Sequence, residues 1–245
     1  MDSYMSDFIM RPGIAIYSLV GLFDDPNLSE QNPVLFLNPV TSAFWVFYTA
    51  QVAGNQDKAI IRYRTSSDHS ATWSAPAQLF PEGVFVRQPV TVLQDGTWVL
   101  PVWYCRTPPG FRWNGNDDVS VVRWSKDAGK TWGETYVPNS VGCVHMNIKP
   151  LADGSYIAFF RSRWPDNVCR STSADGMNWA ERVVTDLPNP NARTCFDVLP
   201  SGKLTIRQWP KRSSAIFYEF CVIRSVASKP AQILSSSVKS RGFFP

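Results

Sequence analysis

Alternating apolar and polar positions recur along this chain in short runs closed by turn residues. The clearest runs are Phe44–Thr49, Ala59–Thr65, Trp98–Tyr104, Val119–Ser125, Ser155–Arg161 and Val168–Ser173, with a looser one at Lys203–Trp209. A period of two over so few residues predicts half-buried β-strands. The predicted content is therefore all-β, with many short strands joined by turns.

Three of the strands run into one repeated corner. Ser125-Lys126-Asp127-Ala128-Gly129-Lys130-Thr131-Trp132 has a counterpart in Ser66-Ser67-Asp68-His69-Ser70-Ala71-Thr72-Trp73, where Ser70 stands in place of Gly. A copy one residue shorter is Ser173-Ala174-Asp175-Gly176-Met177-Asn178-Trp179. The tryptophans lie 59 and then 47 residues apart, the length of one propeller blade. Asp and Ser side chains hold such a turn by bonding nearby backbone N–H groups, and Gly accepts its positive φ. The Trp is then expected to pack back between neighbouring sheets.

A second element keeps the same step. Gln31-Asn32-Pro33-Val34, Arg87-Gln88-Pro89-Val90 and Met146-Asn147-Ile148-Lys149-Pro150 each open an apolar run. The second and third lead to turn pairs, Asp95-Gly96 and Asp153-Gly154; a looser Ser201-Gly202 belongs to a fourth run beginning near Cys195. The unit reads as strand, turn, strand, long loop, strand, Asp-containing turn, strand. Four antiparallel strands at this period describe a β-propeller.

Composition removes other classes. The 33 aromatics (10 Trp, 8 Tyr, 15 Phe) among 245 residues exclude a disordered chain. No apolar run is long enough to span a membrane as a helix. Residues 8–23 are apolar, but Arg11-Pro12 interrupts them and Asp2 and Asp7 precede them, which does not fit a secretory signal; the compartment stays unassigned. Five cysteines without a C-x-x-C pair and only two histidines argue against zinc, so the thiols read as structural. No metal or other cofactor is expected. The net charge of +4 is uneven: Lys203 to Pro245 holds eight basic residues and one acid (+7), leaving −3 for the remainder. The organisation expected is an N-terminal segment at 1–28, propeller blades over 29–204 and a basic, divergent tail at 205–245. That tail lacks regularly spaced stacking aromatics, so nucleic acid is not an expected partner.

The corners at 66–73, 125–132 and 173–179 resemble the Asp-box (BNR) repeats of sialidases, and SEQNPVLF, RQPVTVLQDGTW and DLPNPN are similar to bacterial-type members of that family. The resemblance covers roughly residues 29–204. It implies a six-bladed propeller, of which this chain supplies about four blades and hence an incomplete ring. It implies hydrolysis of a terminal sialic acid from a glycan, with an arginine triad on the substrate carboxylate, a Tyr nucleophile assisted by Glu, and an Asp acid/base. The family's first triad arginine has only a loose echo in Phe8-Ile9-Met10-Arg11-Pro12. A chain inactive by itself, or a non-catalytic glycan-binding propeller, is the alternative.

Propeller topology then selects residues. The innermost strand of a blade starts on the face that receives the loops between its second and third strands, while the Asp-containing turns lie at the far end. Asp68, Asp127 and Asp175 are therefore read as structural. The first residues of the innermost strands contribute Gln31, Asn32, Arg87, Gln88, Asn147, Lys149, Asn189, Asn191, Arg193 and Asp197. The second strands and their loops contribute Tyr104, Arg106, Arg112, Asp117, Arg161, Arg163 and Asp166. Arg87, Arg161 and Arg163 are the expected carboxylate ligands, because a guanidinium grips a carboxylate through two parallel hydrogen bonds. Asn32, Gln88, Asn147, Asn189 and Asn191 are expected to bind the rest of the substrate. A neutral phenol suits an anionic substrate, which makes Tyr104 the candidate nucleophile, with Glu30 assisting and Asp197 as acid/base.

Overall fold

The structure, a computed structural model, describes residues 22, 25–52, 54–81, 83–189, 194–198, 204–208 and 220–224. The alternating runs form four successive antiparallel sheets, each a meander leading from its innermost to its outermost strand. The first comprises β1 (Ser29–Leu37), β2 (Phe44–Gln51), β3 (Ile60–Ser66) and β4 (Ala77–Phe80). In the second, β5 (Val84–Val86) and β6 (Thr91–Val92) both pair with β7 (Trp98–Tyr104), followed by β8 (Val119–Ser125) and β9 (Gly133–Tyr136). The third is β10 (Cys143–Pro150), β11 (Tyr156–Ser162), β12 (Asn167–Ser173) and β13 (Val183–Pro188). The fourth is β14 (Thr194–Val198), β15 (Leu204–Gln208) and β16 (Phe220–Arg224). Among the described residues the only helical element is a single 3₁₀ turn, Gln56–Lys58.

Consecutive sheets pack face to face, and the apolar core lies between them. Phe36 and Phe47 of the first sheet meet Trp98, Leu100 and Val102 of the second. Val99 and Val122 meet Met146, Ile148 and Phe160 of the third. Phe159 meets Phe196 of the fourth at a ring separation of 4.6 Å. This is the radial stacking of propeller blades. The fourth sheet holds strands on both sides of residue 204. β15 and β16 belong to it, so the blade architecture runs into the basic segment as far as Arg224. The sequence hides this because the third strand of that sheet carries no Asp-containing turn.

The repeated corners are built as their side chains dictate. In the second blade, Ser125 Oγ donates to Asp127 Oδ1 (2.8 Å) and accepts from Gly129 N (2.8 Å). The Asp127 carboxylate takes the backbone N–H of Thr131 at 2.8 Å and its hydroxyl at 2.6 Å. The first blade repeats these bonds with Ser66, Asp68, Ser70 and Thr72. The shorter third copy uses Asn178, whose Nδ2 donates to Asp175 at 2.7 Å. These donors hold Asp68 and Asp127 at about 2, first through the Thr hydroxyls, and hold the partly desolvated Asp175 at about 2 through the amides of Asn178. Two of the three Trp pack as expected, Trp132 edge-on to Phe80 of the preceding blade at 5.5 Å and Trp179 in the core between the second and third blades, while Trp73 packs on Leu22, Leu35 and Val46. Gly129 is needed twice over, since its φ is +88° and a Cβ would lie 2.9 Å from Trp98 Cζ3.

One feature escapes the sequence reading. The innermost ladders of two blades break at the same step. In β1 the pairing Gln31↔Thr49 is followed by Val34↔Phe47; in β10, Val144↔Arg161 is followed by Asn147↔Phe159. Two residues therefore face one, a bulge. Its first residue is left-handed in both: Asn32 at φ 56° and His145 at φ 59°. The second blade is interrupted in the same region, between β5 and β6, at Arg87-Gln88-Pro89-Val90.

Candidate functional site

The register separates the two ends of each blade. Ser66, Ser125 and Ser173, which open the Asp-containing turns, pair with Phe44, Trp98 and Tyr156 at the start of each second strand. Arg161 is five residues further along β11, about 16 Å away at 3.3 Å per residue. The arginines and the loops after the second strands thus occupy the end opposite the Asp residues.

At that end Arg161 lies close enough to Arg163 and Arg87 for their charges to act on it. Burial first, then repulsion from those two, pushes its guanidinium down from 12.5 to about 10. Its hydrogen bond is to a backbone carbonyl, Nε to Ser162 O at 3.4 Å. Among the described residues no carboxylate pairs with it. Arg87 donates from Nη1 to Asn32 Oδ1 (3.3 Å), so the bulge of the first blade reaches the second.

Arg163 is held differently. Its Nη2 pairs with the fully buried Asp118, which also accepts from Trp113 Nε1 at 2.9 Å. The same Nη2 reaches Gln56 Oε1 at 3.5 Å, linking loops of the first and third blades, and the guanidinium sits 5.2 Å from the Trp113 ring centre. Burial raises the Asp118 carboxyl above its ordinary 3.8, against the pull of Arg163. His145, unmarked by any sequence motif, lies beside Trp103 with ring centres 4.7 Å apart. Asn147 is buried, and its Oδ1 accepts no hydrogen bond.

Other candidates are placed elsewhere. Tyr104 shares the core-facing side of β7 with Leu100 and Val102, and its hydroxyl extends outward to Glu134 Oε2 on β9 at 2.5 Å. Glu134 is itself paired with Arg123 at 3.2 Å. Burial and then this carboxylate raise the phenol well above its ordinary value, the reverse of an activated nucleophile. Glu30 pairs with Arg62 (3.5 Å), which also holds Asp25 (2.8 Å). Opposite Ala50 in the ladder, Glu30 shares the face of Val46 and Leu22, which is not the face packed on the second blade. Asp197, the fourth residue of β14, is exposed and paired with Lys149 at 3.1 Å. Lys149 pairs with Ile157, four residues before Arg161, so Asp197 is directed to the far end of the blade. Tyr104, Glu30 and Asp197 are therefore not brought together with the arginines. Asn189 is a clamp, donating from Nδ2 to the carbonyls of Ser162 (2.9 Å) and Trp164 (2.6 Å). Gln88 is buried. Asn191 and Arg193 lie outside the described residues.

Cys105, Cys143 and Cys169 are free and buried, and among the described residues no cluster of His, Cys, Asp and Glu is arranged to hold a metal. No helix among them is long and apolar enough to cross a membrane.

Radial antiparallel blades, three of which close their outer strand pair with an Asp-containing turn, and arginines gathered at the other end define a propeller of the sialidase-like class. The chain belongs to the BNR repeat-like domain family, whose model matches residues 21–209. Its fold is similar to that of the Hadza microbial sialidase Hz136, with a TM-score of 0.61 at 15% identity over 80% of this chain and 43% of that one. It is similar to the leech intramolecular trans-sialidase, with a TM-score of 0.61 at 12% identity over 91% and 51%. It is also similar to Zg3597, a family 117 glycoside hydrolase of Zobellia galactanivorans, with a TM-score of 0.59 at 13% identity over 80% and 67%. The chain thus spans about half the length of the two sialidases. Among curated proteins none matches it in sequence.

Proposed function

We propose that this chain binds the carboxylate of a terminal acidic sugar, sialic acid, as part of a sialidase-like glycoside hydrolase. One observation carries the reading: Arg161 is a desolvated guanidinium with two further arginines in its field and no carboxylate partner among the described residues. A buried unpaired charge is costly, and a ligand carboxylate at about 4 Å would recover roughly 4 kcal/mol at an effective dielectric of 20. The grip is two-part. Arg161 supplies the charge, while Arg87 and Asn32 form a hydrogen-bonded pair beside it. Arg163, already neutralised by Asp118, positions the loop that carries Trp164 and Asp166.

The same geometry supports a second reading, a propeller that binds acidic glycans without cleaving them. It is favoured by the separation of Tyr104, Glu30 and Asp197 from the arginines. A fluorogenic sialoside assay run beside a binding titration decides between the two. Turnover abolished by Arg161→Ala supports hydrolysis; binding abolished by that substitution, without turnover in the wild type, supports the binding module. Loss of neither overturns the carboxylate site.

A further inference from the structure

The loop between β7 and β8 carries two opposite charges that do not neutralise each other. Arg106 stands near its start and Asp117 near its end. Among the described residues neither forms an ion pair, with the other or with any third group. Yet both line one groove of about 430 Å³, within the size of small-molecule sites. Thr107, Pro108, Val119 and Val141 complete its lining. Val141 leaves 46% of its surface open, so the groove offers apolar area as well as charge.

The walls are fastened before any ligand arrives. Thr107 Oγ1 donates to Asp57 Oδ2 of the first blade at 2.8 Å, and Phe111 N closes a turn on Pro108 O at 3.1 Å. Val141 lies in a turn closed from Cys143 N to Ser140 O (2.9 Å), which Gly142 N ties to Asp118 O at 2.7 Å. The Arg106 guanidinium lies over the Tyr136 ring, 5.2 Å from its centre. That contact occupies a face of the guanidinium and leaves the N–H groups on its edge for a ligand. Groups held in this way lose little freedom on binding.

The two charges restrict what fits. A simple anion would be repelled by Asp117 and a simple cation by Arg106. A neutral hydroxylic ligand would leave both charges unmatched. An α-amino acid matches them, with a carboxylate for Arg106 and an ammonium for Asp117. A branched aliphatic side chain then covers Pro108, Val119 and Val141, gaining from the area it removes from water. Arg161 is not among the lining residues, so the groove is distinct from the carboxylate site proposed above.

We infer that this groove binds a free aliphatic α-amino acid, for which L-leucine is the probe. The whole protein is titrated calorimetrically with L-leucine, with leucinamide, which lacks the carboxylate, and with 4-methylpentanoate, which lacks the ammonium. Leucine is expected to bind, and each analogue to bind at least about tenfold more weakly. Arg106→Met should bring leucine down to the level of leucinamide, and Asp117→Asn to that of 4-methylpentanoate. Arg161→Met should leave leucine within about twofold of the wild type. Arg106 is exposed and Asp117 half-buried, so both variants should melt as the wild type does. The inference is overturned by absence of leucine binding at about 10 mM, by analogues that bind as well as leucine, or by unchanged affinity in either groove variant. A loss in Arg161→Met equal to that in Arg106→Met also overturns it, because leucine would then sit at the carboxylate site.

Discussion

Replacing Arg161 by Met tests the central electrostatic argument, because it should strengthen the fold while destroying the ligand site. The fall of the guanidinium from 12.5 to about 10 corresponds to about 3.4 kcal/mol of penalty on its charged form. Water on the partly open side of the side chain screens some of this, leaving about 2–3 kcal/mol. Met keeps the aliphatic stem and its packing against the ladder but removes the charge and the repulsion from Arg163 and Arg87. After the loss of the bond to Ser162 O, the net gain expected is about 1–2 kcal/mol, or about 3–6 °C in Tm for a chain of this length. Differential scanning calorimetry measures it directly. The same scan with sialic acid at a hundred times its Kd should stabilise the wild type by about 2.7 kcal/mol and the variant not at all. A variant that melts lower than wild type, or one that keeps the ligand-induced shift, would refute the reasoning.

Three further outcomes follow from the geometry. Ser70→Gly should stabilise the first corner by about 1 kcal/mol in urea denaturation, since Ser70 holds φ +72° where the second corner has Gly; Gly129→Ala should cost about 2 kcal/mol or more through its own φ and its clash with Trp98. Asp118→Ala leaves Arg163 buried without its counter-charge and should cost about 3–5 kcal/mol, most of which returns when Arg163→Met is added, as a double-mutant cycle by urea denaturation would show. Asp68, Asp127 and Asp175 have folded values near 2 against an ordinary 3.8, so their stabilisation is complete above about pH 4 and disappears as the pH falls through 2. Tryptophan fluorescence should accordingly show steep acid unfolding in that interval, and Asp127→Asn should flatten the slope.

The blades were legible because their signal is local. A Ser–Asp–Thr or Ser–Asp–Asn corner satisfies its own backbone donors, so its spacing reports the repeat before any tertiary contact is known. The arginine-bearing end was legible too, as a consequence of strand order. Individual side chains were not. Asn147 looked equivalent to Asn32 because each stands before a Pro at the opening of an apolar run, Pro33 directly and Pro150 three residues on, yet the two-residue bulge makes His145 the counterpart, and nothing in the sequence marks a left-handed His. For Tyr104, alternation identifies the side of β7 but not the outward lean that carries its hydroxyl across β8 to Glu134. Asp197 is the fourth residue of its strand, and its partner Lys149 on the third blade is set by packing that the sequence does not show. The fourth blade shows the same limit, since without its corner motif β16 reads as tail.

The interrupted inner ladders have a consequence for how such a molecule can change. Asn32 and His145 stand outside the regular pairing, each reaching the neighbouring blade, to Arg87 in one case and Trp103 in the other. A replacement there changes the contact with the neighbouring blade while leaving the paired residues on either side and the self-contained corner at the opposite tip in place. In the first and third blades the irregular stretch and the self-contained corner thus lie at opposite ends, so selection can rewrite one while the other stays fixed.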